Sequence, residues 1–166
     1  MSAEQVNRGA ENAALIERFY AAFGRRDPAG MLASYHPAVT FSDPVFPTLD
    51  ASGVAAMWTM LCQRGRDLEI IVSDVAADAA TGRAHWVANY TFSATGRKVN
   101  NRIDAAFAFR AGLIVRHVDS FSLWRWSAMA LGAKGALLGW LPPVRTAIRR
   151  QAAQALAAYV KAPSPA

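Results

Sequence analysis

Four ionisable side chains stand where their neighbours ask for burial: Asp43, Asp104, His117 and Asp119. The stretch "FSDPVFP", residues 41–47, sets Asp43 among Phe41, Val45 and Phe46. A carboxylate so surrounded is poorly hydrated, which favours its protonated form and lifts its pKa toward working pH. Such a base can remove a proton α to a carbonyl and return it elsewhere. Asp104 or His117, when protonated, could donate a hydrogen bond to an oxygen on which negative charge develops. Asp119 would fix the tautomer of His117 or serve as a second acid/base. Each residue also has a plainer use, and Asp43 ahead of Pro44 is a common turn-forming pair.

Two strand-like runs position the last three. In "KVNNRIDAAFAFR", alternation puts Asn100, Arg102, Asp104, Ala106 and Ala108 on one side and Ile103, Ala105, Phe107 and Phe109 on the other. The second side reads as core. The first, small at one end and polar at the other, suits a concave face lining a cavity. In "LIVRHVDSFSLW", Val115, His117, Asp119 and Phe121 share a face. A histidine and an aspartate bracketed by apolar residues serve each other or a ligand.

Around these runs the chain divides by period. Leu15, Ile16, Phe19 and Phe23 mark an amphipathic helix ending near Gly24. Asp27-Pro28 caps a second helix expected to run through Met31, Leu32 and Tyr35, with His36-Pro37 as its stop. "VTF" is a short strand, "DPVFPTLDASG" a loop, and Val54, Met57, Trp58 and Leu61 a third helix. From Leu68 the period becomes two, giving four extended runs separated by "DAATG", "ATGR" and "RAG". The expected fold class is α+β, with three N-terminal helices packed on a strongly bent antiparallel sheet. Residues 10–124 form this domain, and 125–166 a basic, amphipathic helical extension of it.

Composition narrows the function classes. With 166 residues, 53% hydrophobic and 18% charged, the chain can bury one core. Without a signal-peptide core or an apolar run of membrane-spanning length, a cytoplasmic location is expected. The lone Cys62 excludes a disulfide framework and reads as a small buried hydrophobe. Up to Asp119, 12 Lys and Arg balance 12 Asp and Glu. From Ser120 onward there are Arg125, Lys134, Arg145, Arg149, Arg150 and Lys161 with no acid, so the net charge of +6 belongs to the tail. No nucleic-acid motif accompanies it. With Trp124, Trp126, Leu137, Leu138 and Trp140 the tail is amphipathic. The favoured reading is a helix covering the sheet or completing a dimer, and contact with an anionic membrane surface is the lesser alternative.

The layout and the segments "LIERFYAAFGRRDPAGMLASYHPAVTFSDPVF", "RIDAAFAF" and "GLIVRHVDSFS" together resemble the nuclear transport factor 2-like superfamily. This cone-shaped barrel fold includes ketosteroid isomerase and the SnoaL-like polyketide cyclases. By that resemblance, "FSDP" corresponds to the isomerase segment carrying the proton-shuttling aspartate, here Asp43. "RID" corresponds to the strand of the protonated oxyanion-hole acid, here Asp104. Phe19 falls where the isomerase has its oxyanion-hole tyrosine, with Tyr20 one residue on. "HVDSF" resembles an epoxide hydrolase segment whose aspartate matches Asp119, but that enzyme's Arg-x-Asp belongs to the strand that here reads "HWVANY". Asp104 with Asp119 is most similar to the cyclase pairing.

The resemblance thus implies cofactor-free, metal-free acid/base chemistry of isomerase, cyclase or dehydratase type on a small hydrophobic molecule. Phe19, Tyr20, Phe46, Trp58, Trp86, Ala88, Arg102 and Phe121 are the candidates to contact it. A homodimer is also implied. The alternative within the same fold is a ligand-binding or dimerisation module without catalysis.

Overall fold

A computed structural model of the chain describes residues 3–162. The elements in order are α1 (Ala3–Gly24), α2 (Pro28–Leu32), β1 (Tyr35–Ser42), α3 (Ala51–Arg64), β2 (Glu69–Ala77), β3 (Thr81–Phe92), β4 (Arg97–Arg110), β5 (Leu113–Ser120), α4 (Leu123–Leu131), α5 (Ala133–Leu138) and α6 (Pro142–Lys161).

In α1, Leu15, Ile16, Phe19, Tyr20 and Phe23 all turn into the core, as their helical spacing requires. Arg26 (φ 56°) then reverses the chain, and the Asp27 carboxylate caps α2 by accepting from the Gly30 amide. The helix is shorter than expected. Tyr35 begins β1 instead, because His36 precedes proline and is driven to extended backbone. Pro37 falls within the irregular register between Tyr35 and Thr40, on an edge strand that needs no donor there. Asp50 caps α3, which buries Val54, Met57, Trp58 and Cys62. Burial pushes the Cys62 thiol up to about 11, so it is inert packing material.

The strand order is β1-β5-β4-β3-β2. β2 to β5 form the expected antiparallel meander, closed between β4 and β5 by Ala111 and Gly112, both with positive φ. β1 adds a fifth strand, parallel to β5, so the sheet is mixed and open at both edges. Its inner face carries Ala84, Trp86 and Ala88 from β3, Ile103, Ala105 and Phe107 from β4, and His117 from β5. These pack against α1 and α3 in one core, to which α6 adds Leu156. α4 lies at the end of the sheet near Tyr90 and Arg97, where Trp126 Nε1 donates to Tyr90 Oη at 2.8 Å.

Candidate active site

A cavity of about 260 Å³ opens between α3, the inner face of the sheet and α4. Its walls are largely apolar and aromatic, including Phe41, Phe46, Trp58, Trp86, Ala88, Ile103, Phe121 and Trp126. Among them stand two carboxylates, Asp43 and Asp119, and one amide, Asn101. Metal ligation has no ready scaffold there: among the described residues, no three His, Cys, Asp or Glu side chains cluster.

Asp43 follows β1 in a tight loop. Its backbone N–H donates to Phe46 O at 2.8 Å, while its Oδ1 accepts from the amides of Val45 and Phe46. The turn-forming role is therefore real, and it coexists with the cavity position. Oδ2 makes no hydrogen bond among the described residues. Burial among apolar side chains raises the carboxyl from 3.8 to about 6, against the two amide bonds that pull it down; the nearby Asp119 charge adds to the rise. From the other side, Arg149 Nε of α6 donates to Pro44 O at 2.9 Å and pins the loop.

Behind the cavity runs a buried polar chain. Trp58 Nε1 donates to Tyr35 Oη at 3.0 Å, Tyr35 Oη lies 2.7 Å from His117 Nδ1, and His117 Nε2 lies 3.0 Å from Asp119 Oδ1. Trp86 Nε1 completes it with a 3.3 Å bond to the same carboxylate oxygen. Counting donors assigns the protons. A carboxylate can only accept, so the neutral imidazole carries its proton on Nε2 toward Asp119, which leaves Nδ1 as the acceptor of the Tyr35 hydroxyl hydrogen while Tyr35 Oη accepts from the Trp58 indole. His117 is 0% exposed and boxed by rings, with Phe107 at 4.5 Å, Phe41 at 5.1 Å and Phe19 at 5.6 Å. It does not reach the cavity, whereas Asp119 does, and Asp119 Oδ2 has no bonded partner among the described residues.

Asp104 and Arg102 do not belong to this site. Ile103, Ala105 and Phe107 take the inner face of β4, so strand alternation sends Arg102 and Asp104 to the outer one. The Asp104 side chain is 82% exposed and pairs across the strand with His85 Nδ1 at 2.9 Å. Phe19 and Tyr20 are also placed elsewhere, buried behind the cavity rather than along it. Tyr20 packs against Trp86 and Phe107, and its hydroxyl is fully sealed from solvent without a hydrogen-bond partner among the described residues. Phe46, Trp58, Trp86, Ala88 and Phe121 do line the cavity.

Two residues were missed from the sequence. Tyr35, read as helical, is the centre of the buried chain. Asn101 shares the inward parity of Ile103 and is 9% exposed, yet its side chain makes no hydrogen bond among the described residues. A polar residue on an otherwise apolar strand face was the available signal.

Comparison with known proteins agrees with this architecture. The model of the SnoaL-like domain family matches residues 16–117. No curated protein matches the sequence significantly. Among solved structures, a proposed polyketide cyclase from Xanthomonas campestris pv. campestris is 21% identical, with a TM-score of 0.60 over 74% of this chain and 98% of the other. An NTF2-like protein of unknown function from Burkholderia pseudomallei is 19% identical, with a TM-score of 0.65 over 72% and 97%. An LEH-like epoxide hydrolase from M. tuberculosis is 17% identical, with a TM-score of 0.60 over 79% and 97%. At such identities the structural likeness speaks for the fold alone. With 102 residues, well over half the chain, matched by the family model and an open α+β cone around one acid-lined cavity, this protein belongs to the SnoaL-like domain family of the nuclear transport factor 2-like fold.

Proposed function

We propose that this protein binds a small hydrophobic carbonyl compound in the cavity and shifts a proton on it without a cofactor, with Asp43 as the base. The observation that carries this reading is a carboxylate raised to about 6 at the wall of an apolar cavity, with one oxygen unbonded. At neutral pH that group is mostly ionised, yet its conjugate acid is strong enough to return the proton.

In the proposed step, Asp43 Oδ2 takes a proton from the carbon α to the carbonyl, and the C–H electron pair moves to form the enolate. Asn101 Nδ2 donates to the enolate oxygen, the role Asp104 cannot fill from the outer face. In a conjugated substrate the proton carried by Asp43 then returns to another carbon and the net reaction is an isomerisation; where a second carbonyl faces the enolate carbon, that carbon attacks it instead, and Asp43 gives its proton to the alkoxide formed, which closes a ring. Asp119 is the second acid of the cavity, and His117 is a positioning residue that holds it at 3.0 Å.

The test is a thermal-shift screen of aromatic and alicyclic ketones, followed by turnover assays on the stabilising ligands. Asp43→Asn keeps an oxygen acceptor for the two loop amides while removing the base, and turnover falls by about 10² to 10⁴. Turnover that survives this substitution removes Asp43 from the role. A second reading, a carrier that holds its ligand without turnover, is favoured by one feature: His117 has both ring nitrogens engaged and is sealed from the cavity. Ligands that bind and stabilise but are recovered unchanged support that reading.

A further inference from the structure

The C-terminal helices divide into a committed part and an uncommitted one. α6 is committed: Leu156 enters the core and Arg149 holds the Asp43 loop. α4 buries Leu123, Ser127 and Ala130. Apart from Val160 near the end of α6, what remains outside is a group of four large apolar side chains, with Leu137 71% and Trp140 62% exposed, Trp124 and Leu138 about half exposed.

Hydrogen bonds tie Trp124 to α5 and Trp140 back to Leu137. Trp124 Nε1 donates to Ala136 O at 2.9 Å, and Trp140 Nε1 donates to Leu137 O at 3.1 Å. Both indoles therefore have their polar atom satisfied within the chain. Covering their rings with an apolar phase leaves no donor stranded. Beside them in sequence, Arg125, Lys134 and Arg145 are exposed, and their side chains form no ion pair or hydrogen bond among the described residues. No acid occurs anywhere after Asp119.

We propose that this α4–α5 patch docks on the surface of an anionic phospholipid bilayer, its Trp and Leu side chains at the headgroup boundary and its cations over the phosphates. Charge selects this occupant over a second copy of the chain. An isologous contact through the patch would oppose like cations, with no acid in the segment to compensate them. The attachment is peripheral, since no helix among the described residues is long and apolar enough to cross a membrane. Trp126, two residues on from Trp124 and so about 200° round α4, lines the cavity, so the exposed patch and the ligand site lie on opposite sides of this helix.

The test is co-sedimentation of the full chain with phosphatidylcholine vesicles containing about one third phosphatidylglycerol, at low salt and at about 0.5 M salt. Binding to these vesicles is expected at low salt, about tenfold weaker at high salt or on pure phosphatidylcholine. Leu137→Ser with Trp140→Ser weakens it by about tenfold or more, with little change in thermal midpoint because both side chains are mainly exposed and the Trp140–Leu137 bond lost is a local one. Lys134→Glu with Arg145→Glu weakens it similarly and serves as the second variant. No binding to the anionic vesicles, or binding that survives both double substitutions, overturns the proposal. So does a dimer in size exclusion that Leu137→Ser with Trp140→Ser dissociates, since a second copy would then cover the patch.

Discussion

Two histidine–aspartate pairs sit on opposite faces of the same sheet. His85 and Asp104 meet at 2.9 Å on the outer face, His117 and Asp119 at 3.0 Å on the inner one. The separations are nearly equal, and the surroundings are not. The outer pair stands in water, where attraction is screened and each partner is solvated without the other. The inner pair is enclosed by aromatic rings and tied to Tyr35 at the histidine end and to Trp86 at the aspartate end, so each member is the other's main substitute for water. Environment, rather than distance, decides what such a pair contributes.

The sharpest way to break the comparison is to delete one partner on each face. Asp119→Ala strands the His117 Nε2–H and the Trp86 indole N–H without an acceptor and is expected to cost about 2 to 5 kcal/mol in urea unfolding. Equal losses from Asp119→Ala and Asp104→Ala would dissolve the distinction between the faces.

Asp43 gives the next largest effect, with the opposite sign. Its folded-state pKa of about 6 lies above the unfolded value near 3.9, so the native state binds more protons between those limits. The contribution of this group to stability is fully present below about pH 4 and is lost as pH rises through about 6. Asp43→Asn removes that loss. The variant should gain up to about 3 kcal/mol over the parent at pH 7.5 and nothing at pH 4, in parallel unfolding curves.

Smaller effects refine the picture. Tyr20→Phe deletes a hydroxyl buried without a partner and is expected to stabilise the fold by about 1 kcal/mol, as a rise in thermal midpoint. Tyr35→Phe, by contrast, strands both His117 Nδ1 and the Trp58 indole, and lowers that midpoint. Asp104→Ala should change unfolding free energy by less than about 1 kcal/mol.

How far the sequence could be read follows from the same physics. Strands β2 to β5 were legible because alternation and turn residues are local signals, and the two faces of β4 were separated correctly. The error lay in assigning them. A cavity inside a core is walled by core-face residues, so the polar side chain that β4 turns to the cavity is Asn101 beside Ile103, not Asp104 on the outer side. Tyr35 was misread because its spacing from Met31 and Leu32 fits a helix, while the pairing that draws it into β1 comes from Ile114, far along the chain. The parallel addition of β1 to β5, and the grip of Arg149 on Pro44, are likewise contacts between distant segments and leave no mark in local pattern.

The most direct measurement is a carboxyl ¹³C NMR titration of Asp43 in the ligand-free chain. A midpoint near pH 6, moving when a cavity ligand is added, is the predicted result. A midpoint near pH 4, indifferent to ligand, would contradict the placement of a tuned base at this cavity.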